Sequence, residues 1–188
     1  HFRLLGSSPG ERPLSPRKAA HNLLKRFLPR AFRRPVKTGE VDRYLALYDR
    51  AAQRGDPFEE RIKLMLKGVL VSPDFLFRIE KPPASEKLEL LNDHELASRL
   101  SYFLWSSMPD NELLRVASQG KLRDPGILRQ QVDRMLDDPK RVAFSTNFLG
   151  QWLNLRKLGT MPPDPASNKA YYSDNLEAAM RQETRLLF

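Results

Sequence analysis

Apolar residues recur along this chain at the 3.6-residue period of an α-helix, and short polar segments with start and stop signals separate them. The clearest stretch is 91–110, LNDHELASRLSYFLWSSMPD. Asn92 suits a helix N-cap, and Glu95 stands three residues later, where a capping box needs it. Leu91 and Leu96 flank the cap as a hydrophobic staple. A helix over 93–105 then places Leu96, Ala97, Leu100, Phe103 and Leu104 on one face.

The same logic partitions the rest of the chain. A capping residue followed by Pro occurs at Ser15-Pro16, Asp56-Pro57, Ser72-Pro73, Asp124-Pro125 and Asp138-Pro139. Proline is well suited to the first helical position and unsuited to a helix interior, so each pair predicts a helix start. The first helix runs from Pro16 towards Phe32 with Ala20, Leu23, Leu24, Phe27, Leu28 and Ala31 inward. Pro29 predicts a kink or break in it near 25–28. A second helix after Thr38 turns Val41, Tyr44, Leu45, Tyr48 and Ala52 inward and ends at Gly55. A capping box at Asp56-Pro57-Phe58-Glu59 opens a third, which buries Phe58, Ile62, Met65, Leu66, Val69 and Leu70. A short helix after Pro73 buries Phe75, Leu76 and Ile79.

Beyond the 93–105 helix four more are expected. One spans 110–118 and stops near Gly120. Another spans 125–136 and buries Leu128, Val132, Met135 and Leu136. A third runs from Pro139 to about Leu155 with Val142, Thr146, Leu149, Trp152 and Leu153 inward. The last is capped by Ser173 and carries Leu176, Ala179, Met180, Glu183 and Leu187. No alternating Val/Ile/Thr run suggests a strand. The expected fold is all-α, about eight amphipathic helices in two packed groups without a sheet. The polar stretch 81–90 reads as a linker between an N-terminal helical subdomain, 1–80, and a C-terminal one, 91–188.

Three blocks carry a resemblance: LNDHELASRLSYFLWSSMPDNELL, LPRAFRRPVKTGEVDRYLALYDRA and VLVSPDFLFRIE. Together they resemble the planctomycete-type domains of unknown function 1592 and 1595, over roughly residues 25–188. Members of that family occur in large proteins, some with a cytochrome c domain. The resemblance therefore implies a module of a larger, extracytoplasmic (periplasmic or cell-surface), cytochrome c-associated protein. Any haem would belong to other domains. The family's own chemistry is unknown, so the resemblance implies no site residues. It does imply that Pro29 is a local departure, since relatives read through that point without proline.

Composition narrows the options. No apolar run has the length of a membrane-crossing helix, and no secretory signal opens the chain. The chain begins with His1 and ends at Phe188 within a helical pattern, so a fragment of a longer polypeptide is expected. Mean hydropathy of -0.55 marks a strongly solvated surface. Zero cysteines exclude disulfides, thiolate metal sites and covalent c-type haem attachment within these residues. The net charge is +9, and nine basic residues with no acid lie within 12–39, so that block carries the whole excess. Such a block suits an anionic partner.

Candidate chemistry is sparse. His1, His21 and His94 are far apart and have no partners at metal-ligand spacing. Asp93-His94-Glu95 reads as the first turn of a helix, where acids favour the positive dipole end. No nucleophile elbow, phosphate loop or zinc-protease motif is present, and adjacent acids such as Glu59-Glu60 diverge by about 100° on a helix. No catalytic, cofactor-binding or metal residue is therefore assigned. Two surfaces are candidates for interaction. One is the stripe His94, Ser98, Ser101 and Trp105 on the 93–105 helix, which reads either as a partner groove or as a second buried contact. The other is the basic set Arg26, Arg30, Arg33 and Arg34. On the polar face of the first helix no aromatic residues interleave with the cations, which disfavours nucleic acid. The expected role is a non-catalytic helical structural or interaction module, with neighbouring domains of the same polypeptide, or another protein, as partners. The alternatives are part of an enzyme whose site is completed by flanking domains, and a basic nucleic-acid-binding module.

Overall fold

The computed structural model describes residues 14–80 and 90–187. Within them the chain is all-α, with no strand and eight helical runs of seven residues or longer. The linker expected at 81–90 lies, apart from Leu90, outside the described residues. Contacts divide the chain into two compact units, and the division passes through one helix. The first comprises the described residues of His1–Ser98 with Pro109–Arg123; the second comprises Arg99–Met108 with Asp124–Phe188.

In the first unit α1 (Pro16–Ala31), α2 (Glu40–Gln53) and α3 (Phe58–Leu70) pack around Leu24, Leu28, Phe32, Tyr44, Leu45, Tyr48, Met65 and Val69. These are positions the 3.6-residue period brings to one stripe of each helix. Ser15 Oγ accepts from Lys18 N at 3.4 Å, so the Ser-Pro start of α1 works as expected. The break expected near 25–28 is absent: α1 continues through Pro29 to Ala31, and Phe32 N still reaches Leu28 O at 2.9 Å. Pro29 lies so near the end of the helix that its missing donor removes only one bond, to Lys25 O. Gly39, at φ +75°, begins α2. Gly68 lets α2 and α3 approach closely, because a Cβ there would run into the Leu47 side chain.

Three expectations for this unit need correction. The box at Asp56 does not form: Pro57 is the N-cap of α3, without a side-chain bond, while Asp56 accepts from Arg54. Ser72 precedes α4 (Pro73–Leu76), but its hydroxyl donates backwards to Val69 O at 2.8 Å. Leu70, Leu76 and Ile79 are exposed, whereas Phe75 packs on the core. Here the period of each helix predicts a face, but the short α4 has too few turns to define one.

The helix α5 (Asp93–Trp105) spans both units, followed by α6 (Asn111–Ser118) in the first and α7 (Pro125–Asp137) in the second. Asp110 caps α6 by accepting from Leu113 N at 2.8 Å. Asp124 caps α7 by accepting from Gly126 N and Ile127 N. On α7 Met135 is buried as expected, but so is Gln131, and Leu136 is exposed.

A helical run then changes its winding repeatedly. It comprises a 3-10 turn (Pro139–Arg141), α8 (Val142–Phe144), a π turn (Ser145–Leu149) and α9 (Gly150–Trp152). A π turn inserts about one extra residue, which rotates everything after it by about 100°. Beyond it Trp152 and Leu153 are exposed, contrary to the uniform-period expectation; Leu149 stays buried, and Val142, which precedes the π turn, is exposed as well. The chain ends in α10 (Lys169–Ser173) and α11 (Leu176–Leu187). Ser173 closes α10 rather than capping α11; its hydroxyl donates to Asp174, and Met180 on α11 is exposed.

Candidate functional site

The start of α5 forms as the sequence dictates. Asn92 Oδ1 accepts from His94 N and Glu95 N, both at 3.0 Å, and Glu95 Oε2 accepts from Asn92 N at 2.9 Å. Asp93 is buried, and its carboxylate accepts from Leu122 N at 2.7 Å and Arg123 Nε at 2.8 Å. It thereby ties the loop after α6 to the first turn of α5.

His94 Nε2 lies 3.3 Å from Ser118 Oγ, a pairing across 24 residues that the sequence did not suggest. Two facts decide its chemistry. Ser118 Oγ donates to Leu114 O at 2.8 Å, one turn back on its own helix. With that proton committed, the hydroxyl accepts from His94, which places the imidazole proton on Nε2. A histidine base would need the opposite arrangement, accepting the serine proton. Burial lowers the His94 pKa, against a smaller upward pull from Asp93, which favours the neutral ring. The pair is a tether between α5 and α6.

The remaining stripe residues differ in exposure. Ser98 is half-buried. Ser101 is fully buried and donates to Ser107 O at 2.8 Å, closing the turn after α5. Trp105 is buried too; its Nε1 donates to Met135 O at 2.9 Å. Lys140 Nζ lies 4.5 Å from its ring centroid and the Arg134 guanidinium 5.7 Å, so two cations meet the negative ring face. Of the expected face, Ala97 and Leu104 are buried and Leu96 and Leu100 half-buried, while Asp93, Ser101 and Trp105 extend the buried side of α5 beyond it. Phe103 is half exposed.

The basic set separates into two pairs. Arg26 and Arg30 are exposed on α1. Arg33 is only 7 % exposed and sits at φ +56°, a left-handed conformation costly for a side chain with a Cβ. Its guanidinium donates to Asp74 O and Phe77 O, each at 2.8 Å, and more weakly to Phe75 O and Ala31 O. It gathers carbonyls that the end of α4 leaves without intrahelical partners. Arg34 donates to both carboxylate oxygens of Glu40, at 3.0 and 2.7 Å, and to Asp74 Oδ1 at 2.8 Å. Glu40 is buried and also accepts from Lys37 N at 2.8 Å. The Arg34 hydrogen bonds hold the Glu40 carboxyl below its ordinary pKa despite burial, and raise that of Arg34. Arg17 likewise makes a two-point contact with Asp49. Much of the basic block is therefore answered by acids and carbonyls of its own unit.

In the second unit an unexpected feature stands out. Phe144, Phe148 and Trp152 stack in sequence along the irregular run, with centroids 5.1 and 6.0 Å apart and planes at 10° and 27°. Phe103 packs edge-on against both phenylalanines, at 5.1 and 5.3 Å. Trp152 is 65 % exposed, Phe103 50 % and Phe148 41 %. The spacing F-x3-F-x3-W at 144–152 was the signal available; a uniform helical period hid it by turning Val142, Thr146 and Trp152 inward.

Residues 91–188 match the family model PSD4, described as a protein of unknown function (DUF1592), and make up more than half of the chain. The chain belongs to this family. Residues 19–80 match a second model, PSD5, a protein of unknown function (DUF1595). In this DUF1592 chain the first matched span opens at the α5 capping box, and the second runs from the first turn of α1 through α4. No curated protein and no solved structure matches the chain. Among the described residues no group of three or more His, Cys, Asp and Glu side chains converges as a metal site would require. No helix among them is long and apolar enough to cross a membrane.

Proposed function

We propose that this chain is a helical structural and interaction module of a larger extracytoplasmic, cytochrome c-associated protein, where it packs against and positions neighbouring domains. One observation supports this above the others: the polar side chains most able to do chemistry are engaged in holding helices together. Arg33 gathers the carbonyls of α4, Arg34 pairs with Glu40 and Asp74, and Trp105 bonds Met135 O. No buried side-chain polar atom among the described residues lacks a partner. A buried polar group aimed at an absent substrate would break that pattern. The exposed aromatic ridge supplies what a scaffold needs in order to hold something else, an apolar surface of fixed shape.

The extracytoplasmic part of the proposal rests on the resemblance to cytochrome-associated relatives, with which the absence of Cys is compatible. Two measurements test the reading. A reporter enzyme active only outside the cytoplasm, fused to the native full-length protein, is expected to be active. A cytoplasmic signal would remove the location. Neighbouring domains of the same polypeptide, supplied as a separate chain, are expected to bind the module in sedimentation experiments. No association would remove the scaffold role.

A further inference from the structure

We infer that the Phe144–Phe148–Trp152 ridge docks an amphipathic helix whose apolar stripe is flanked by Asp and Glu. This deepens the interaction-module reading and rests on it. Three observations converge.

The rings repeat every four residues, 5.1 and 6.0 Å apart, close to the roughly 5–6 Å between side chains at i and i+4 on a helix. A ridge with that repeat fits the grooves of a second helix, as ridges-into-grooves packing requires. Stacking along the ridge and the edge-on Phe103 fix the rings before any partner arrives, which lowers the ordering cost of binding.

Charge selects the flanks. From Pro139 to Pro163 the sequence contains Lys140, Arg141, Arg156 and Lys157 and no acid. Lys140, Arg141 and Lys157 are exposed, and Asp138, just before the run, caps it by accepting from Lys140 N. Acidic residues beside the partner's apolar stripe complement these cations, which stand before and after the ridge in the chain, speeding encounter and fixing register.

The same geometry disfavours other occupants. Sugars and bases stack on open ring faces, whereas Phe144 and Phe148 turn their faces towards each other at 10°. A second copy docking through the same ridge would bring Lys140, Arg141 and Lys157 against their own counterparts, like charge against like. A fluid bilayer would make no use of the four-residue repeat.

The test uses two synthetic helical peptides with identical Leu stripes, one flanked by Glu and the other by Lys, and vesicles of equal parts phosphatidylcholine and phosphatidylglycerol. Binding is read by anisotropy of labelled peptide and by a blue shift of Trp152 emission, which Trp152→Phe removes. The Glu peptide is expected to bind at least about tenfold tighter than its Lys twin. Trp152→Ser, at a side chain too exposed to endanger folding, should weaken it by about tenfold or more. Arg141→Glu should abolish the preference between the peptides. Circular dichroism checks that each variant remains folded. Equal binding of both peptides, no binding, indifference to Trp152→Ser, or tighter partition onto the vesicles would each overturn the inference. A module that still binds its neighbouring domains after such a result would keep the scaffold role and lose only this surface.

Discussion

Arg33 offers the sharpest test of how the first unit is held, because one residue combines a strained backbone with a cluster of charge-assisted hydrogen bonds. Its guanidinium donates to four carbonyls, three of them from residues 74–77, while its backbone sits at φ +56°. A hydrogen bond from a charged donor contributes about 1.5–3 kcal/mol net. Some of these carbonyls lie near solvent and regain water when the guanidinium is removed, so simple addition would overshoot. Arg33→Ala is therefore expected to cost about 2–4 kcal/mol, keeping the strain and losing the bonds. Arg33→Gly loses the same bonds but relieves the left-handed conformation, recovering about 1 kcal/mol relative to Ala. Urea titration followed by circular dichroism measures both: with a slope of about 2 kcal/mol per molar, Ala lowers the midpoint by about 1–2 M. The order wild type, then Gly, then Ala is the signature. Arg33→Ala within about 0.5 kcal/mol of wild type would refute the carbonyl cluster, since that is the scatter of ordinary surface substitutions. Gly below Ala would refute the strain.

Asn92→Ala removes the acceptor for two backbone amides of α5 and is expected to cost about 1 kcal/mol, measured by the same titration. Glu40 has a folded-state pKa below its ordinary 4.5, so its contribution is complete above that value and is lost as pH falls through the lower one. Thermal melts should fall on this acid limb, and Glu40→Gln should flatten it while lowering stability at neutral pH. Trp105→Phe strands the buried Met135 carbonyl and is expected to cost about 1–3 kcal/mol by urea titration. DNA retention through exposed cations such as Arg30 should be weak, sequence-independent and nearly gone at about 150 mM salt, as gel-shift titrations would show.

The sequence by itself determined every element whose instructions are local. The α5 capping box needs only Asn92 and Glu95 at the right spacing, and those bonds form as written. Asp110, Asp124 and Asp138 cap their helices for the same reason, and Ser15 does so through its hydroxyl. The all-α class and the inward faces of α1 and α2 follow from a period that neighbouring residues define. Asp56 shows the limit: a residue suited to capping was taken instead by Arg54.

What only the tertiary structure decided depends on partners distant in the chain or on a change of winding. Nothing local shows that Arg33 reaches residues 74–77, or that Glu40 and Asp74 answer Arg34, so a block that reads as open positive charge is partly internal. The stripe through His94, Ser98, Ser101 and Trp105 read as a second buried contact more readily than as a groove, since a helix apolar on more than one side is usually interior. Ser118 and Met135 engage its two ends, 24 and 30 residues away. The aromatic ridge escaped because a single π turn shifts the helical phase, and phase is what a uniform period assumes. Local chemistry starts and stops these helices; which side of each faces water is set by long-range packing, where a rotation of about 100° exchanges core for surface.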